Sequence, residues 1–155
     1  MSVATIRAAM KAALETVANV GKVNAFEPLA VREEDFKTCY VDRRLGYVLG
    51  WSIARESAEE TRSSHRTNLV GHTLVVRGVR ALAEGGATDT EFQGLVDAVL
   101  AVMRKNQVAL YGASVVEVGP PQLRITEPRT FAGYTVHYCE IAQRCAEQVD
   151  LVPQS

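Results

Sequence analysis

Leu45-Gly-Tyr47-Val-Leu49-Gly-Trp51-Ser-Ile53-Ala places a large apolar side chain on every second residue and mostly small ones between. That alternation is the period of a β-strand with one face turned to a core. The following residues, Glu56-Ser-Ala-Glu59-Glu60-Thr-Arg62-Ser-Ser-His65-Arg66, are too polar to bury, and a second patterned run extends from Leu69 to Val79. Strands over 45–55 and 69–79 joined in this way are expected to pair antiparallel around an extended charged tip rather than a tight turn.

Working outward toward the N-terminus, Val3, Ile6, Met10, Leu14, Val17 and Val20 recur at intervals of three and four, with Arg7, Lys11 and Glu15 between them. The spacing predicts an amphipathic helix over 3–20, stopped by Gly21. Short strands are expected at Val23–Phe26 and Phe36–Val41. Toward the C-terminus, Thr88-Asp-Thr-Glu91 has the form of a capping box, and Phe92, Leu95, Val96, Val99, Leu100 and Met103 make one apolar stripe behind it. Further strands are expected at Ser114–Val118, Gln122–Thr126 and Phe131–Arg144, the last able to turn helical from Glu140. Strands joined by direct returns favour an α+β fold, a mainly antiparallel sheet with two helices packed on one face, in a single domain over residues 1–155.

Composition restricts the function classes. The chain has 155 residues, 47% of them hydrophobic and 23% charged, and its formal net charge is −1. A core can be built, and a near-zero net charge gives no long-range field for nucleic acid or membranes. No apolar run approaches a membrane span, and the alanine-rich N-terminus lacks a signal-peptide layout. Cys39, Cys139 and Cys145 are odd in number and not closely spaced, which favours reduced thiols over a disulfide framework.

No catalytic motif is present. His65, His72 and His137 have no second ligand at helical or CxxC spacing, although His72 and His137 could meet across neighbouring strands. Cys139 and Cys145 do not match zinc-site spacing, and Gly85-Gly86 lacks the rest of a phosphate loop. No catalytic residue, metal or cofactor is expected. The charged tip is different: Arg55, Glu56, Glu59, Glu60, Arg62, His65 and Arg66 alternate in sign along an exposed segment, the pattern of a solvated or salt-bridging contact surface.

Several elements together resemble the tail terminator, or tail completion, proteins of long-tailed bacteriophages. They are Ile6-Arg7-Ala-Ala-Met10, Gly50-Trp51-Ser-Ile53-Ala-Arg55-Glu56, His72-Thr-Leu-Val-Val-Arg77-Gly78, Glu91-Phe92-Gln93-Gly-Leu95-Val96-Asp97-Ala98-Val99, and Phe131-Ala-Gly133-Tyr-Thr-Val-His137-Tyr138. The resemblance implies a small α+β structural protein of the virion tail or neck, assembled in the host cytoplasm. It implies a homohexameric ring that caps the tail tube and joins it to the head-tail connector or stopper protein, with DNA passing through the lumen without specific binding and no membrane contact. Ring closure needs a heterologous interface, and Arg55–Arg66 is the expected contact segment, mobile in the free protein. Another neck or head-tail joining protein, or a small ligand-binding or enzymatic domain, is the alternative.

Overall fold

The computed structural model describes residues 3–26, 38–83, 86–105, 115–131 and 133–151. Their strands are β1 (Lys22–Asn24), β2 (Val41–Asp42), β3 (Tyr47–Arg62), β4 (Thr67–Ala81), β5 (Val115–Val118), β6 (Gln122–Phe131) and β7 (Tyr134–Asp150), with helices α1 (Val3–Leu14) and α2 (Ala87–Met103). One seven-stranded sheet runs β1-β3-β4-β7, after which β6 and β5 share the far side of β7, and β2 pairs with the start of β3. Each pairing is antiparallel except that of β1, which lies parallel to β3 through Lys22↔Gly50 to Asn24↔Ser52.

This architecture overturns the expected α+β arrangement of a mainly antiparallel sheet with two helices on one face. The sheet is mixed and it dominates, with 52% of residues in strands and 26% helical, and the helices pack only in part. The difference arises in polar sequence. Residues 56–62 and 145–150 belong to long strands, because ladder hydrogen bonds to β4 hold their backbones whether or not their side chains find a core. The parallel strand arises because the chain crosses from β1 to β3 through residues 25–46 instead of returning directly.

Local expectations shift for identifiable reasons. α1 stops at Leu14 rather than near residue 20, and turns lead to Asn19 and Gly21, both at positive φ. Gly21 is required there, because a Cβ would collide with the Leu49 carbonyl. Phe36 lies outside the described residues, and residues 38–40 form a helical turn before β2. The capping box does not form. Gly86 is the N-cap of α2, and Thr88 is drawn inward, exchanging hydrogen bonds with the Ala83 backbone and meeting His137 Nε2 at 2.9 Å, while Glu91 turns to Arg80 at 2.6 Å. The strand expected at 122–126 continues to Phe131, and the last strand runs to Asp150 without turning helical.

The main core lies between the helices and one face of the sheet. Ile6, Met10 and Leu14 of α1 meet Phe92, Val96, Val99 and Met103 of α2 over Trp51, Ile53, Leu74, Val76, Cys139, Ile141 and Cys145. Trp51 is fully buried at its centre. Its indole Nε1 donates to the Val20 carbonyl at 2.7 Å, and its ring stacks on Phe92, which stacks in turn on His137. Gly78 faces Trp51 across the β3–β4 ladder, and a Cβ there would come within 2.4–2.8 Å of three indole carbons. A smaller cluster of Tyr40, Val48, Val79, Val136 and Tyr138 occupies the opposite face. Gln143, buried in β7, donates to the carbonyls of Met103 and Gly119 at 2.8 Å each and so fixes the end of α2 and the β5–β6 turn.

Two substitutions test this core by urea unfolding. Gly78→Ala is expected to destabilise by about 1–3 kcal/mol through overpacking against Trp51, and Phe92→Ala by about 3–5 kcal/mol. Leu95, which is only half-buried at the margin of the core, should lose less than Phe92 when cut to alanine. Equal losses at the two positions would reject this orientation of α2.

Candidate functional site

The seven charged residues singled out in the sequence do not lie in a loop. Arg55, Glu56, Glu59, Glu60 and Arg62 occupy the second half of β3, and only His65 and Arg66 fall in the turn; all seven are exposed. From Ser57↔Thr73 to Arg62↔Asn68 the strand pairs with β4 residue for residue, after a bulge between Arg55 and Ser57. The turn is closed by hydroxyls. Ser64 Oγ accepts from the Arg66 and Thr67 amides at 3.1 Å, and Ser63 Oγ donates to the Thr67 carbonyl at 3.0 Å. The expected contact segment is thus a strand paired along β4, with only its turn outside the ladder.

The outer edge of that arm is open. β1 reaches only Ser52, and among the described residues no strand lies beside β3 from Ile53 to Arg62. An open edge carries unpaired amides and carbonyls and acts as a template for another strand unless charge or shape protects it. Glu59 and Glu60 are exposed and have no ion-pair partner among the described residues.

Behind the arm, the sheet face opposite the helices carries a charged lattice that pairs residues distant in sequence. Arg124 grips Glu56 through two hydrogen bonds of 2.5 and 2.9 Å, reaching from β6 to β3 across two intervening strands. Between them on the same face lie Val75 and Ala142, both buried. Arg77 faces Glu140 across the β4–β7 ladder, the Tyr138 hydroxyl donates to Glu140 at 2.5 Å, and the Arg129 guanidinium lies 4.3 Å from the Tyr138 ring centroid. Arg144 lies across Gly71, where a Cβ would collide with the guanidinium, and approaches Glu117 at 3.8 Å. Of this lattice the sequence reading singled out Glu56 alone. The only hint of the arginines was the alternation of Arg124, Glu127 and Arg129 through a strand.

Electrostatics follow the contacts. The hydrogen bonds from Arg124 hold the Glu56 carboxyl below its ordinary value and raise Arg124 in return. Burial, then the bond to Glu140, keeps the Tyr138 phenol protonated well above its usual range. Burial also pushes the Cys139 thiol up to about 12 and that of Cys145 to about 11, which makes both poor nucleophiles.

The histidines are not brought together. His72 Nε2 meets Glu147 at 2.9 Å in a buried pair on the helix side of the sheet. His137 stands opposite Arg80, eight positions along β4 from His72, so no shared ligand pair forms. Among the described residues no three His, Cys, Asp or Glu side chains converge as metal ligands, and no helix is long and apolar enough to cross a membrane.

Titration of Glu56 by carboxyl NMR should give a pKa below the usual carboxylate range, and Arg124→Ala should restore it. Because the folded-state pKa is the lower one, the linked stabilisation is present above the ordinary carboxylate pKa and disappears as pH falls through the depressed value. An unshifted Glu56 would show that the pair does not persist in solution. In a thiol-labelling assay of the native protein, Cys39, which is half-buried, should react first and Cys139 and Cys145 only on unfolding. No protein-family profile matches the sequence, and a search of curated proteins finds no match.

Proposed function

We propose that this chain is a structural assembly protein of the tail terminator kind, forming a ring that caps a phage tail tube and receives the head-tail connector or stopper. The observation that carries the reading is the β3–β4 arm with a charged outer edge, set on a sheet in which, among the described residues, that edge and the opposite margin are both unpaired. Such a subunit has two different surfaces suited to pairing with copies of itself, which is the requirement for a closed ring. The sequence elements quoted above supply the rest of the reading. On it, the protein resides in the virion tail or neck, and DNA passes through the lumen without specific binding, in keeping with a net charge of −1.

Electron microscopy of particles from a knockout, with tail length scored, tests the role. The reading expects tails of abnormal length or tails that fail to join heads, whereas another neck protein would leave tail length normal and block only joining. Reversing Glu59 and Glu60 to lysine should change unfolding stability by less than about 0.5 kcal/mol, as exposed substitutions do, while impairing ring formation or tube capping. If that double variant restores normal tail length and infectious yield to a knockout, the arm is not the assembly surface.

A further inference from the structure

Among the described residues the sheet has two free margins, related in a way that selects how copies pair. Between them lie β3, β4, β7 and then β5 with β6, and each neighbour runs opposite to the last. The count is even. A second copy added head-to-tail by rotation therefore brings its β3 antiparallel to the β5–β6 margin of the first, so the sheet continues without reversing a strand. The margins also lie at the same height, since the ladders connect Glu59, Gly71, Ala146 and Glu117 in one row.

Other uses of the β3 edge are disfavoured by charge and shape. Pairing β3 with its own symmetry mate over Ser57–Arg62 sets Glu59 against Glu60 in both directions, and like charges directly opposed destabilise a ladder. The second half of β6 carries Pro128, which lacks an amide, and follows a bulge between Leu123 and Ile125, so that stretch is a poor template. The receptive part is β5, where Val116 remains exposed at 49%; Pro120 and Pro121 beyond it offer no amide, so pairing is confined to Val115–Val118.

Charge then sets the register. At equal height, Glu59 of the incoming copy would oppose Glu117. A shift of two residues is the smallest that keeps each side chain on its face, and in one direction it moves Glu59 to Gly119. There a cavity of about 370 Å³ opens between β5, β6 and β7, with Arg124, Arg144, Gln122 and Glu117 in its wall, Arg124 being already bound by Glu56. Among the described residues Arg144 makes one ion pair, its 3.8 Å approach to Glu117, and its side chain is half exposed, which leaves room for a second carboxylate. Closure of a sheet into a ring itself demands such a stagger between strands.

We propose that the tip of the β3 arm of one copy docks along β5 of the next, with Glu59 entering the pocket that Arg124 and Arg144 line just beyond it. The inference rests on the ring reading above and adds the interface and register to it. In that register Thr61 of the incoming strand stands opposite Glu117.

Native mass measurement and disulfide trapping on the full chain test it together. Thr61→Cys with Glu117→Cys should, on mild oxidation, give a ladder of covalent multimers on a non-reducing gel. A mixture of the two single variants should give dimers only, and each variant alone none. Glu59→Arg should weaken association at least about tenfold, and adding Arg144→Glu should recover it. A wild-type oligomer that forms no ladder and ignores Glu59→Arg overturns the edge docking while leaving the ring reading intact. Self-cross-linking of Glu60→Cys alone, giving dimers, assigns the edge to a symmetric pair and also overturns it. A wild type that stays monomeric at every concentration, yields no ladder, and whose knockout makes normal tails overturns both.

Discussion

Trp51 lying flat over Gly78 is the contact on which the rest of the molecule depends. The indole occupies the volume that any side chain at Gly78 would need, so it lies against the β4 backbone on the helix side of the sheet. From that seat the ring reaches the Val20 carbonyl with its nitrogen, Phe92 with its face, and through Phe92 the His137 ring on β7. One side chain thus sets the positions of the turn after α1, of α2 and of three strands. Loss of the glycine would push apart elements that are far separated in sequence.

The sheet is used differently on its two faces. Toward the helices it is apolar, apart from buried polar groups that are each tied to a specific partner, such as Gln143 and Thr88. On the other face, small side chains and long arginines alternate by position: Gly71 lies beneath Arg144, and Val75 and Ala142 lie between the ends of the Glu56–Arg124 pair. The arginine stems supply apolar cover while their heads stay wet. A sheet can in this way present a charged exterior without leaving its backbone rows bare.

Much of the scaffold was legible. The alternation of Tyr47, Leu49, Trp51 and Ile53, and the stripe Phe92, Val96, Val99 and Met103, each report a side chain's distance from the core, which local sequence encodes directly. The arm was misread for the complementary reason. Glu56 to Arg62 have no core to face, so their polarity looks like a loop, and only pairing with β4 reveals a strand. Thr88 and Glu91 satisfy every local condition for a helix cap, but His137 and Arg80, 49 and 11 residues away, claim their side chains. The fold class failed on the same kind of information: nothing near Lys22–Asn24 signals that the strand runs parallel to one that begins 23 residues later. Of the candidate site, the acidic half was visible in sequence, while Arg124 and Arg144 became relevant only when the topology laid β5, β6 and β7 side by side.

The position of β7 in the chain has a consequence for how the molecule is made. β4 is flanked by β3, already synthesised, and by β7, which pairs with it along its whole length from Ala81↔Val136 to Thr67↔Asp150. During translation the apolar row of β4 therefore waits until Tyr134–Asp150 has been made before its second neighbour arrives. Contacts of such long sequence separation make folding slow and leave intermediates with exposed edges. In a crowded cell, nascent chains emerging together on one message would be most vulnerable to mispairing in that interval, and the charged flank of the hairpin would serve as their protection before it served any partner.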